Sequence, residues 1–151
     1  MKLSVDTLSV LKNFASINQG IMFKKGKTLK TVSSHKNILA EVDITEDIPA
    51  DFGVYDLNNF LTVLSMQKEE AEIEFGDKVA KVSFMGGRSK VDYRFCEPTM
   101  VVAPPEKPIA MPEAEIRFEM SGDDLDWIMR SAAVLGSPNV AVVSNGSKIS
   151  I

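Results

Sequence analysis

One plan used twice limits what this chain can become. Residues 2–5 read as a short strand, and Asp6 as the cap of a helix running to about residue 17. Leu8, Leu11 and Ala15 form one apolar stripe of that helix, with Val10 and Phe14 beside it. Strands are expected at 21–23, 28–33 and 38–44, separated by polar and glycine turns. The order then repeats. Residues 52–55 read as strand, and Asp56 caps a helix to about residue 67 with a stripe of Leu57, Phe60, Leu61 and Leu64. Strands follow at 71–75, 79–84 and 90–95. A third, partial copy has a strand at 115–120 and a helix capped by Ser121 or Asp123. Gly136-Ser137-Pro138 stops that helix. A hairpin follows, with Asn145-Gly146 as a type I′ turn. Repetition of this kind implies an α+β fold made by duplicating one unit, with both helices on the same face of a shared antiparallel sheet.

Between the second and third copies, residues 96–112 hold Pro98, Pro104, Pro105, Pro108 and Pro112, five of the seven prolines. Such density removes ladder donors and favours extended chain. The expected organisation is therefore a first domain at 1–98, a connector at 99–112 and the start of a second domain at 113–151. The sequence stops two apolar residues into the return strand of its last hairpin. Either Ile149 and Ile151 belong to a natural terminal strand, or the second domain is truncated; truncation is the expectation.

The residues offer little for catalysis. Cys96 is the sole cysteine and His35 the sole histidine, which leaves no zinc site within the chain. Cys96 reads as a small buried hydrophobe. His35 lies in a polar turn, and no Gly-x-Ser-x-Gly elbow accompanies it. Gly86-Gly87-Arg88-Ser89-Lys90 lacks the spacing of a phosphate loop and no helix follows it. Asp123, Asp124 and Asp126 lack the glycine and distal glutamate of a calcium loop and are accounted for by a helix dipole. Glu69, Glu70, Glu72 and Glu74 read as a solvated edge. No cofactor is expected. No apolar run is long enough to span a bilayer, and the first residues lack the apolar stretch of a signal peptide.

The net charge of −4 argues against a protein that coats nucleic acid, but not against a local basic face. Lys12 lies on the polar face of the first helix, Lys68 closes the second and Arg130 lies on the third. Asn13, Ser16, Asn58, Asn59 and Thr62 keep those faces wet. Lys24, Lys25, Lys27 and Lys30 cluster about one hairpin. Mildly positive helix faces suit loose contact with phosphates. No aromatic platform for single strands accompanies them.

In Met1-Lys2-Leu3-Ser4-x-Asp6-Thr7, Leu11-Lys12-Asn13-Phe14-Ala15, Tyr55-Asp56-Leu57-Asn58, Val101-Val102-Ala103-Pro104 and Lys107-Pro108-Ile109, the chain resembles the sliding clamps of T-even-type bacteriophages. The resemblance implies a DNA-clamp fold in a ring of three two-domain subunits, helices lining a hole that holds duplex DNA. It implies a non-catalytic processivity factor for a replicative DNA polymerase, placed by a clamp loader in the cytoplasm of an infected bacterium. By this resemblance Lys12 and Arg130 face DNA, with Lys68 at its helix end a weaker third. Val101, Val102, Ile109 and Met111 either line a pocket for partner peptides or merely pin the connector to the sheet. Family chains are longer than this one, so by itself it is expected to be a monomer or a non-physiological dimer. Two other readings stand beside this one: a small hydrolase using His35 with a serine, and a peptide-binding or structural phage module without a DNA role.

Overall fold

The computed structural model describes residues 1–66, 71–107 and 113–151. The chain divides into two compact units, Met1–Glu106 and Lys107–Ile151.

In the first unit, helix α1 spans Val5–Ile17. Its cap is Ser4, not Asp6: the Ser4 hydroxyl accepts from Thr7 N–H at 3.2 Å, and Asp6 sits exposed in the first turn. The reason lies far along the chain. The Glu46 carboxylate accepts from Ser4 N–H, from Thr7 Oγ1 at 2.7 Å and from Thr45 Oγ1 at 3.0 Å. A carboxylate brought from a distant strand thus fixes the helix start and complements its dipole. With Val5 already helical, the strand expected at 2–5 does not form. Met1 pairs there, donating its amino group to the Ile73 carbonyl at 2.6 Å and accepting from Ile73 N–H at 2.7 Å.

The strands are β1 (Ile21–Phe23), β2 (Gly26–Val32), β3 (Leu39–Ile48) and β4 (Phe52–Val54). After helix α2 (Leu57–Leu64) come β5 (Glu72–Phe75), β6 (Val79–Phe84) and β7 (Ser89–Arg94). All pairing is antiparallel: β1 with β4, β2 with β3, and β5–β6–β7 in order. Among the described residues these are separate ladders rather than one continuous sheet, with an isolated bridge between Gly53 and Cys96. Asp56 caps α2 as expected, accepting from Asn59 N–H at 2.8 Å.

Helices α1 and α2 pack against each other and bury their stripes, Leu11 and Phe14 from one, Leu57, Phe60, Leu61 and Leu64 from the other. Phe52 stacks between Phe23 and Phe95, with ring centroids 4.6 and 4.4 Å away. Cys96 is half-buried, and burial raises its thiol pKa.

Partial burial would raise the Glu46 pKa, but its hydrogen bonds from Ser4 and Thr7 outweigh that and hold it down at about 2. A carboxylate with a lowered folded pKa contributes stability above its unfolded pKa, near 4.5, and that contribution is lost as pH falls toward 2. Glu46→Gln is therefore expected to cost about 1 kcal/mol at neutral pH. It should also flatten the stability profile between pH 5 and pH 2, roughly the window the two pKa values bracket. Urea unfolding at several pH values checks both.

In the second unit, helix α3 spans Gly122–Leu135. Ser121 and Asp124 form a reciprocal capping box, and Gly136 closes the helix in the left-handed region. The strand expected at 115–120 is not formed. Those residues alternate in polarity but have no ladder partner among the described residues. Strands β8 (Val143–Ser144) and β9 (Ile149–Ser150) make the closing hairpin. Its turn is not type I′. Only Gly146 takes positive φ, and the Asn145 side chain instead accepts from Ser147 N–H at 3.1 Å and Lys148 N–H at 2.8 Å.

Candidate nucleic-acid interface

The stripe that buries Leu11 and Phe14 turns Ser9, Lys12, Asn13 and Ser16 to solvent. Likewise α2 exposes Asn58, Asn59 and Thr62. Some of these polar groups are satisfied by their own helix: Ser16 Oγ donates to the Asn13 carbonyl at 2.6 Å and Thr62 Oγ1 to the Asn58 carbonyl at 2.8 Å. Among the described residues, the exposed faces of the two helices carry mainly small neutral amides and hydroxyls, with Lys12 on α1 and with Asp6 and the apolar Val5 exposed at the α1 start. Such a surface can touch a phosphate backbone without locking to it.

Arg130 is exposed on α3, its Nε donating to the Asp126 carbonyl at 3.1 Å. Lys68 lies outside the described residues, as do Ile109 and Met111. The expected peptide-pocket residues therefore divide. Val101 is buried, 8% exposed, while Val102 is 41% exposed. The Asn18 side chain donates to the Val102 carbonyl at 2.9 Å and ties the connector to the end of α1. Around this tie lies a hollow of about 330 Å³ whose wall includes Tyr55, Met100, Val101 and Val102. Sequence reasoning missed Tyr55, Met100 and the Asn18 tie. The polar Asn18 after an apolar stripe marked a helix end, and nothing local showed what it would bind.

His35 lies exposed in the turn between β2 and β3 and makes no hydrogen bond among the described residues. The neighbouring Ser33 hydroxyl is committed to the turn, donating to Asn37 Oδ1 at 2.7 Å and accepting from Asn37 and Ile38 N–H groups. Among the described residues no group of His, Cys, Asp and Glu is arranged to hold a metal ion, and no helix is long and apolar enough to cross a membrane.

Two packed helices with wet, weakly charged faces over antiparallel ladders agree with the sequence comparison. The model of the DNA polymerase processivity factor family matches residues 4–103, and the chain belongs to that family. The relatives are sliding clamps of bacteriophages. Over 151 residues the chain is 36% identical to the sliding clamp of Escherichia phage RB69 and 37% identical to that of Enterobacteria phage T4. It is 32% identical to the sliding clamp of Vibrio phage KVP40 over 153 aligned positions. All of this chain is covered in each case, against 65%, 65% and 68% of the relatives' own lengths.

Proposed function

We propose that this chain provides the DNA-facing first domain, and part of a second, of a sliding clamp that holds a replicative DNA polymerase on duplex DNA. The observation that carries this is the match to three phage sliding clamps, each covering all of this chain. The pairing pattern supports a duplicated unit. Met1, ahead of α1, pairs into β5, the strand after α2; β4, ahead of α2, pairs with β1, the strand after α1. A division at 1–98, 99–112 and 113–151 follows the proline-rich connector. The working form would be a ring of three copies, placed on DNA by a clamp loader in the host cytoplasm, with Lys12 and Arg130 toward the duplex.

The mechanism needs no bond to be made or broken. A closed ring stays on DNA by topology, so its inner face needs only modest positive potential and no sequence register. Holding the polymerase on the ring raises its effective concentration at the primer end. A net charge of −4 is compatible with this, because the acids can lie away from the helix faces. Val101 and Val102, beside the α1 hollow, are the proposed share of the described residues in partner-peptide docking.

Lys12→Glu with Arg130→Glu is expected to leave folding intact, since both side chains are exposed. It should shorten the products of clamp-dependent primer extension and flatten the slope of log K for duplex DNA against log salt by about 2 per chain. Unchanged processivity with unchanged salt dependence would contradict the assignment of these two residues.

A further inference from the structure

The closing hairpin of the second unit carries a reactive pair that its role as a turn does not use. Asn145 is exposed at the tip and precedes Gly146, and at no other place in the sequence does glycine follow asparagine. Every other asparagine precedes a residue with a side chain, which obstructs approach to the next backbone nitrogen. Three of them, Asn13, Asn58 and Asn59, are also held in helices α1 and α2. Gly146 has no Cβ to obstruct anything, and it holds a φ of 88° that other residues rarely adopt.

The turn presents the atoms that a ring closure needs. Asn145 Oδ1 accepts from Ser147 N–H at 3.1 Å, from Ser147 Oγ at 3.1 Å and from Lys148 N–H at 2.8 Å. These bonds fold the side chain forward along the chain, where the Gly146 nitrogen follows. They polarise the amide carbonyl and would hold the negative charge that gathers on Oδ1 when its carbon is attacked. Asn145 Nδ2, the nitrogen that must leave, has no acceptor among the described residues. The Gly146 N–H lies outside the β8–β9 ladder and donates to the exposed Ser144 hydroxyl at 3.1 Å.

We propose that Asn145 is a modification site, at which the side-chain amide becomes a carboxylate through a cyclic imide with Gly146. The Gly146 nitrogen gives its proton to solvent base and bonds to Asn145 Cγ. The Cγ–Nδ2 bond breaks, and Nδ2 takes up a proton and leaves as ammonia. Water then opens the imide. Attack at Cγ gives aspartate in an ordinary backbone; attack at the main-chain carbonyl carbon gives isoaspartate. Nothing is oxidised or reduced. Aspartate keeps an acceptor for Ser147 and Lys148, so the hairpin tolerates it. Isoaspartate routes the main chain through Cβ and Cγ and lengthens the turn by an atom. A ladder of two residue pairs is too short to absorb that, because an isolated hairpin is marginal to begin with. Either product adds one negative charge to the net −4. The isoaspartyl carboxylate is also a substrate for the class of methyltransferases that recognise this group. The inference depends on the hairpin alone and not on the chain's role on DNA.

The test is incubation of the intact chain at neutral and at alkaline pH, followed by peptide mass spectrometry. Asn145→Gln and a free peptide spanning Ser144–Lys148 are run in parallel. The expected result is a mass gain equal to replacing an amino group by a hydroxyl, confined to the segment with Asn145. It should be faster at alkaline pH and comparable in rate to the free peptide. Methyl transfer by an isoaspartate-specific methyltransferase should grow with it, and both signals should be lost in Asn145→Gln. Conversion of the free peptide without conversion of the intact chain would show that the turn blocks ring closure and would overturn the proposal. Equal gain at Asn37 or Asn139, or methyl transfer that persists in Asn145→Gln, would overturn it as well.

Discussion

Phe60→Ala is expected to lower the free energy of unfolding by about 3–5 kcal/mol, the usual range for removing a buried phenyl ring. Phe60 is 1% exposed and is the point at which α2 enters the core. Its ring meets Phe23 edge-on at 6.5 Å and Tyr93 at 4.9 Å. Tyr93 in turn donates its hydroxyl to the Asp56 carbonyl at 3.2 Å, at the cap of the same helix. Truncating Phe60 therefore leaves a cavity and loosens the aromatic ring that steadies the start of α2. Domains of this size are commonly stable by about 5–15 kcal/mol, so the loss is a large share. Urea unfolding followed by circular dichroism measures it. A loss below about 1 kcal/mol would show that the site collapses without cost and that α2 is held by other contacts.

Gly20→Ala has the second-largest expected effect, about 1–3 kcal/mol, because overpacking against backbone cannot be relieved by a rotamer change. A Cβ at Gly20 would lie 2.9 Å from the carbonyl oxygens of both Val54 and Tyr55 and 3.4 Å from a methyl of Val101. This is where the chain leaves α1 for β1 and where Leu57 N–H donates to the Gln19 carbonyl at 2.7 Å. The added methyl should part β1 from β4 and raise amide exchange along Ile21–Phe23. Gly122→Ala is the internal comparison. Nothing lies within 4 Å of a Cβ there, and alanine is the better helix former, so stability should hold or rise slightly. Equal behaviour of the two variants would refute the close approach at Gly20.

The sequence made the helices legible because their stripes and caps are local. Asp56 before Leu57-x-x-Phe60-Leu61 located the start of α2, which ends at Leu64 rather than near residue 67, and Ser121, one of the two expected caps, located the start of α3. The start of α1 was misplaced for a physical reason. Ser4 and Asp6 are both good caps, and the choice between them is made by Glu46, which lies 42 residues from Ser4. A strand needs a partner as well as a pattern, so alternation at 115–120 was not sufficient. For the same reason the turn at Asn145-Gly146 was recognised as a turn, while its type was decided by side-chain bonds to Ser147 and Lys148.

The candidate interface was legible in part. The wet faces of α1 and α2 follow directly from their stripes, since whatever is not buried must face solvent. The hollow by the connector was not legible. Val101 reads as apolar whether it lines a pocket or is pinned, and it is buried. That hollow depends on how the connector crosses the first unit, a long-range fact that no local pattern carries.

The proposed role requires that the exposed faces of α1 and α2 touch duplex DNA loosely and without regard to sequence. The most direct measurement is an amide chemical-shift titration of this chain with two short duplexes of unrelated sequence at low salt. Small, fast-exchange shifts are predicted at Lys12, Asn13, Ser16, Asn58, Asn59 and Thr62, alike for both duplexes and fading as salt is added. Shifts confined to the strands, shifts that differ between the two sequences, or none on either helix at low salt would contradict it.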